Sequence, residues 1–164
     1  MGNSKKPYEE RSDDEKLLSN LKKASGLYER EDWSACIMRV ATATEIASNI
    51  YIRNYLLVDN SLPNEFVDSL LLSANGINGK FRQLVTPASK CLGTWDELKK
   101  IQKKIELINT DRNSVAHAGK FKNKSDAKKV YEAAFEVINL LAPAVNESLK
   151  LPFTSKANKK INKD

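Results

Sequence analysis

A chain of 164 residues can bury one sizeable core and is short for two ordinary domains, and its 41% hydrophobic and 29% charged residues are those of a globular protein. Six glycines and five prolines are few turn formers for an all-β chain, so helix is the favoured class. Lys and Arg outnumber Asp and Glu by 27 to 21, and the net charge of +6 with a pI near 9.2 suits a polyanionic partner better than a cationic one.

No apolar run approaches the ~20 residues of a bilayer span, and the start MGNSKKPYEERSDD lacks a signal-peptide core. A cytoplasmic protein without membrane contact is expected. Gly2 is faintly like a myristoylation site, but Lys6 stands where Ser or Thr is required. Cys36 and Cys91 form no CxxC and have no second histidine to join them, so buried free thiols are expected, without disulfide or metal.

Residues 1–12 read as a flexible N-terminus. Ser12 to Glu15, SDDE, is a capping box that opens a first helix with Leu17, Leu18, Leu21, Ala24 and Tyr28 on one stripe. Asp32 caps a longer second helix, buried along Ile37, Val40, Ala41, Thr44, Ala47, Tyr51 and Tyr55 and ending near Val58. DNSLPNE breaks it, and Pro63 starts a short helix carrying Phe66, Val67, Leu70 and Leu71.

SANGING breaks that helix in turn. The stretch from Lys80 to Gly93, with Pro87 inside it, reads as a partly helical connection. Thr94 to Glu97, TWDE, is a second capping box, followed by an apolar face of Trp95, Leu98, Ile101, Ile105 and Ile108. A last helix begins near Ser125 with Val130, Ala134, Val137, Ile138, Leu141 and Val145 inward, and Pro143 kinks or ends it. The expected fold is all-α: an antiparallel helical bundle of four long helices plus a short one, spanning residues 13–150. Residues 151–164, with Lys156, Lys159, Lys160 and Lys163, read as a basic, disordered tail, with an arm for RNA as the alternative.

Few chemistries find the residues they need. There is one histidine and no GxSxG elbow. ANGINGKF, Ala74 to Phe81, fails as a phosphate loop, because Ala74 replaces its first glycine and Phe81 the hydroxyl residue after Lys80. Among the carboxylates, Glu45 stands out beside the buried stripe of the second helix, where an acid is costly unless paired.

TDRNSVAHAG, Thr110 to Gly119, holds the single histidine at the far end of the helix that TWDE opens. Asn113 and His117 stand at i, i+4, which places them on one face. Arg112 offers a permanently charged planar fork suited to a phosphate, and an imidazole, ordinarily near pKa ~6.5, can take and give a proton at neutral pH. Those groups are what metal-free RNA cleavage needs. Arg, Asn and His before a helix-stopping Gly119 are also what capping and the helix macrodipole place at a C-terminus without any function. Five residues also separate Arg112 and His117 by about 140° on a regular helix, so they converge only through a bend or a second subunit.

RNSVAH, Arg112 to His117, resembles the R-x4-6-H motif of the HEPN superfamily, including the polar residue after the arginine. Its place before the last long helix fits, and Tyr28 to Tyr51 looks like an early helix of that fold, with Glu45 where an acid often stands near the cleft. The resemblance implies a metal-independent endoribonuclease without cofactor, usually a homodimer, that leaves a 2′,3′-cyclic phosphate and serves in toxin–antitoxin or defence systems. By match of motif, Arg112 would bind and polarise the phosphate, His117 would transfer the proton, and Asn113 would hold the imidazole or contact RNA. Glu45 would support them, with Arg112 its candidate partner, and Lys120 and Lys122 would guide the RNA backbone by charge. Members that pair with a nucleotidyltransferase antitoxin often carry tyrosine where this chain has Gly119, which puts that partnership in doubt. Many members are non-catalytic, so a helical module that binds protein or nucleic acid is the alternative.

Overall fold

In a computed structural model of the chain, residues 6–148 and Pro152 are described, the side chains of residues 146–148 excepted. Gly2, Lys150 and the basic tail apart from Pro152 lie outside the described residues. Tyr8–Glu10 form a 3-10 turn ahead of the expected domain boundary. Helix α1 (Asp13–Glu29) starts on a complete capping box: Ser12 Oγ accepts from the Glu15 N–H at 3.2 Å, and Glu15 accepts from the Ser12 N–H at 2.7 Å. Holding that backbone N–H keeps the Glu15 carboxyl below its ordinary range. Leu17, Ala24 and Tyr28 are buried, as their spacing requires, and so is Asn20, a polar residue the stripe did not include.

Helix α2 (Trp33–Arg53) is capped by Asp32, which accepts from the Ala35 N–H at 3.3 Å, and widens into π-helical turns over Asn54–Asp59. Burial extends well around its circumference, taking in Cys36, Ala43, Ile46, Ser48, Ile50 and Ile52 besides the expected stripe. Thr44 and Ser48 return their hydroxyls to the carbonyls of Val40 and Thr44, at 2.9 and 3.4 Å, so neither is left without a partner. Tyr51 and Tyr55 are only half-buried. Arg53 reaches Asp13 at 3.0 Å and Asp68 at 2.7 Å, fastening the end of α2 to the start of α1 and to α3 (Asn64–Ser73). In α3 the apolar set divides: Val67 and Leu71 are buried, while Phe66 is half-exposed.

The segment after α3 departs from expectation. From Gly76 to Leu92 the chain is helical throughout, as α4 (Gly76–Lys80), a π-helical turn over Phe81–Val85, and α5 (Thr86–Leu92). The wide π turn sits immediately before Pro87, where the missing N–H would interrupt a regular hydrogen-bond ladder. Phe81, Val85 and Ala88 are buried, so packing outweighs the local signals for a break. The helix stops at Gly93, whose φ of 72° is left-handed.

Helix α6 (Trp95–Leu98), a 3-10 turn over Lys99–Ile101 and α7 (Gln102–Ala116) follow one another without a break. The capping box expected at Thr94 does not form; its hydroxyl turns back to the Ser89 carbonyl, 3.4 Å away at the end of α5. A box does open α8 (Lys124–Leu141), where Asn123 and Asp126 exchange bonds of 2.9 and 3.2 Å. Pro143 ends α8 and begins a 3-10 segment to Ser148. The fold is all-α, without strands among the described residues, and α1, α7 and α8 all pack on α2. Lys104 and Glu136, 3.0 Å apart, tie the start of α7 to the end of α8. No helix of the described residues is long and apolar enough to cross a membrane.

Cys36 is buried, but Cys91 is exposed, which corrects the expectation that both thiols are inside. Burial pushes the Cys36 thiol up to about 12, with the Asp32 carboxylate adding to the effect. A thiol-specific reagent at pH 8 is therefore expected to modify one cysteine rapidly in the native protein and a second only after unfolding; two fast equivalents would contradict this packing. Because the folded thiol holds its proton more tightly than the unfolded one, this contribution to stability is complete below pH ~9 and is lost as pH rises towards 12.

Candidate active site at the end of helix α7

The last turn of α7 carries Arg112 and Asn113, and His117 is its C-terminal cap residue, its N–H donating to the Asn113 carbonyl at 2.9 Å. Gly119 then turns the chain with a left-handed φ of 58°, and the Lys120 N–H closes onto the Ser114 carbonyl at 3.1 Å. A β-carbon at that position would meet nothing within 4 Å, so what demands glycine is backbone conformation and not crowding. The loop into α8 is anchored at Lys122, whose N–H donates to Ser34 Oγ at 3.0 Å in the first turn of α2.

The His117 side chain is exposed, and among the described residues its imidazole makes no hydrogen bond. Arg112 is half-buried and donates from Nη1 to Asn113 Oδ1 at 3.0 Å. Asn113 thus holds the guanidinium, and its relation to His117 runs through the backbone instead of the amide side chain. The one helix face inferred from i, i+4 spacing loses its meaning at the cap, where the helix ends.

Arg112 lines a narrow cleft of about 60 Å³ with Asn109 of α7, Met38, Thr42 and Glu45 of α2, and Gly76 of α4. Such a space admits a few waters or the edge of an oxyanion. His117 does not line it. Arg112 and His117 therefore face different surroundings within one chain, as the angle between them on the helix anticipates.

Glu45 belongs to this cleft, but its ion-pair partner is Lys80, at 3.1 Å, and not Arg112. Lys80 is 7% exposed and also donates to the carbonyls of Leu71 and Ala74 at 2.9 and 3.3 Å. The reason lies in α3, whose last carbonyls point inward and lack helical donors. An ammonium supplies the hydrogen bonds, and a buried ammonium in turn requires an anion. The lysine of the discarded phosphate-loop pattern is thus committed to structure.

The two loop lysines also part company. Lys120 is exposed, whereas the Lys122 ammonium forms an ion pair with Asp111 in which both side chains are largely buried, so its charge already has an acid beside it. Asn109, Met38 and Thr42 escaped the sequence reading, although Asn109 precedes Arg112 by three residues and so shares its face. Phe121, 97% exposed, was also passed over; an aromatic residue inside the polar run AGKFKNK was its signal. Among the described residues no three His, Cys, Asp or Glu side chains cluster as a metal would require.

The chain was compared with protein-family models, with curated proteins and with solved structures, and none of the three comparisons finds a match.

Replacing Lys80 by Ala strands two inward carbonyls and the Glu45 carboxylate together, and is expected to lower stability by about 2–3 kcal/mol in urea unfolding, while Lys120→Ala changes it by less than ~0.5. Gly119→Ala is expected to cost about 1 kcal/mol through backbone strain alone. Equal stability of the Lys80 and Lys120 variants would show that the buried pair supports nothing.

Proposed function

We propose that this protein is a metal-independent endoribonuclease of the HEPN type, with an antiparallel HEPN-like bundle of four long helices, acting as a cytoplasmic homodimer in a toxin–antitoxin or defence setting. The observation that carries the reading is the state of RNSVAH at the end of α7: His117 is exposed, and Arg112 reaches a cleft with Asn113 bound to its guanidinium. Neither side chain is consumed by an acid among the described residues.

One imidazole takes the proton of a ribose 2′-OH, and the oxygen attacks the adjacent phosphorus. The bond to the 5′-oxygen breaks, and that oxygen receives a proton from a second acid. The products are a 2′,3′-cyclic phosphate and a 5′-hydroxyl. Arg112 stabilises the charge that builds on the phosphoryl oxygens, a role its planar fork fits. A single chain has one histidine for two proton transfers and does not bring it into the Arg112 cleft, so pairing two copies across one site supplies both the second imidazole and the missing convergence. Phe121 offers a flat apolar surface four residues beyond His117 on which an RNA base stacks.

The second reading, a non-catalytic helical module that binds protein or nucleic acid, draws on the absence of His117 from the Arg112 cleft. RNA incubated with the purified protein in EDTA separates the two. Cleavage leaving cyclic-phosphate ends is expected, with His117→Ala and Arg112→Ala each slowing it by ~10²–10⁴-fold and Phe121→Ala raising KM about tenfold. Equal cutting by His117→Ala would falsify the enzyme reading, and RNA that stays intact in the presence of a stable dimer favours the module.

A further inference from the structure

A second concavity, of 590 Å³, lies along α1 and α2 and shares no residue with the Arg112 cleft. Its size falls in the range of ligand-binding pockets. Arg11, Lys22, Lys23, Arg30 and Arg39 line it, and no acid does. None of the five takes part in an ion pair among the described residues. Elsewhere the described surface interleaves its charges, as in Lys99 with Asp96, Lys104 with Glu136 and Arg53 with two aspartates. Like charges gathered in a concave site focus a positive potential, which an anionic ligand neutralises.

Two of the cations are held in place. Arg39 Nη1 donates to Asn20 Oδ1 at 3.3 Å, and Asn20, 1% exposed, donates in turn to Tyr8 Oη at 2.8 Å and the Lys16 carbonyl at 2.9 Å. That chain gives the buried asparagine of α1 a purpose, since an amide in that position is costly unless its bonds are made. Arg11 donates to Ser19 Oγ at 3.2 Å and to the Lys6 carbonyl at 2.9 Å, with its guanidinium 5.8 Å from the centre of the Tyr8 ring. Fixed guanidinium forks lose less freedom on meeting a phosphate than free ones.

The groove also adjoins the candidate active site. Arg39 lines the groove and Met38, the residue before it on α2, lines the Arg112 cleft, so the two sites flank one stretch of helix about 100° apart. Phosphates repeat along a strand and favour a row of cations over a single site, and the five residues come from the segment before α1, the length of α1 and α2.

We propose that the groove of Arg11, Lys22, Lys23, Arg30 and Arg39 binds the sugar–phosphate backbone of single-stranded RNA and leads the strand over α2 towards Arg112. Its position beside the cut rests on the ribonuclease reading; the binding of RNA does not. Fluorescence anisotropy of the full-length His117→Ala protein with a labelled single-stranded oligoribonucleotide, measured across a salt series, tests it. Neutralising two groove cations, Lys22→Gln with Arg39→Gln, is expected to flatten the slope of log affinity against log salt by about 1.4, at ~0.7 per lost phosphate contact. The pair Lys22→Gln with Arg30→Gln, which leaves the Asn20 bond intact, is expected to do the same, and Lys100→Gln with Lys103→Gln, an equal change in net charge, to leave the slope as it was.

Equal flattening by all three pairs reduces the effect to net charge and overturns the proposal. Displacement of the RNA by inorganic phosphate at matched concentration overturns it too, in favour of a small-anion site. A wild-type protein that binds RNA through the groove and never cuts it sinks the ribonuclease reading alone, whereas cutting with an unchanged slope in both groove pairs sinks the groove alone.

Discussion

Apolar cover for α2 is the constraint on which the rest of this structure depends. A helix buried around so much of its circumference cannot lie on a surface, and here it is enclosed by α1, α7, α8 and the α4–α5 segment. Small residues permit the close approach: Ala41, Ala43 and Ala47 alternate with Ile37, Val40 and Ile50 on its buried sides. Around the start of α2 the aromatic rings of Tyr28, Trp33 and Tyr131 meet edge to face, with centroids 5.0 and 6.4 Å from Tyr28, and so join α1, α2 and α8. Burial of Tyr131 drives its hydroxyl well above the ordinary phenol range, and that hydroxyl donates to the Leu21 carbonyl at 3.2 Å.

The same enclosure creates the candidate site. Once α4 and α7 both lean on α2, the gap between them becomes the Arg112 cleft, walled by Thr42 and Glu45 on one side and Asn109 on the other. Lys80 stiffens that wall by joining the end of α3 to Glu45, so one buried cation serves helix termination, core closure and the shape of the cleft together. The loop after α7 is held by separate means, Lys122 to Ser34 and Asp111, and this leaves the His117 ring at the surface while its backbone stays fixed. A fixed backbone with a free imidazole suits a site completed by a second copy, and equally a surface that a partner covers.

Much of the helical order was legible in advance, for reasons visible in single residues. Ser12 with Glu15, and Asp32, are short-range caps whose bonds span three residues, and the stripes of α7 and α8 follow from a period of 3.6. The segment from Gly76 to Leu92 was not legible, because its helix contains Gly79, a π turn and Pro87, and it exists through the burial of Phe81 and Val85 against distant residues. Thr94 was misread for a related reason: the Ser89 carbonyl that takes its hydroxyl belongs to a different helix, whose existence the local signals denied. At the site, the chemistry of Arg112, Asn113 and His117 could be read from type and spacing, but their partners could not.

By itself the sequence determined the all-α class, most helix boundaries and the short list of candidate site residues, since periodicity, capping and side-chain chemistry are local properties of the chain. Only the tertiary structure decided that Glu45 answers Lys80 and not Arg112, that Asn113 holds the guanidinium and not the imidazole, that Lys122 is spent on Asp111, and that five cations from α1, α2 and the segment before them share one groove. Each of these is a contact between charges or dipoles whose strength depends on distance and burial, and both are set by how the helices pack, which no spacing along the chain specifies.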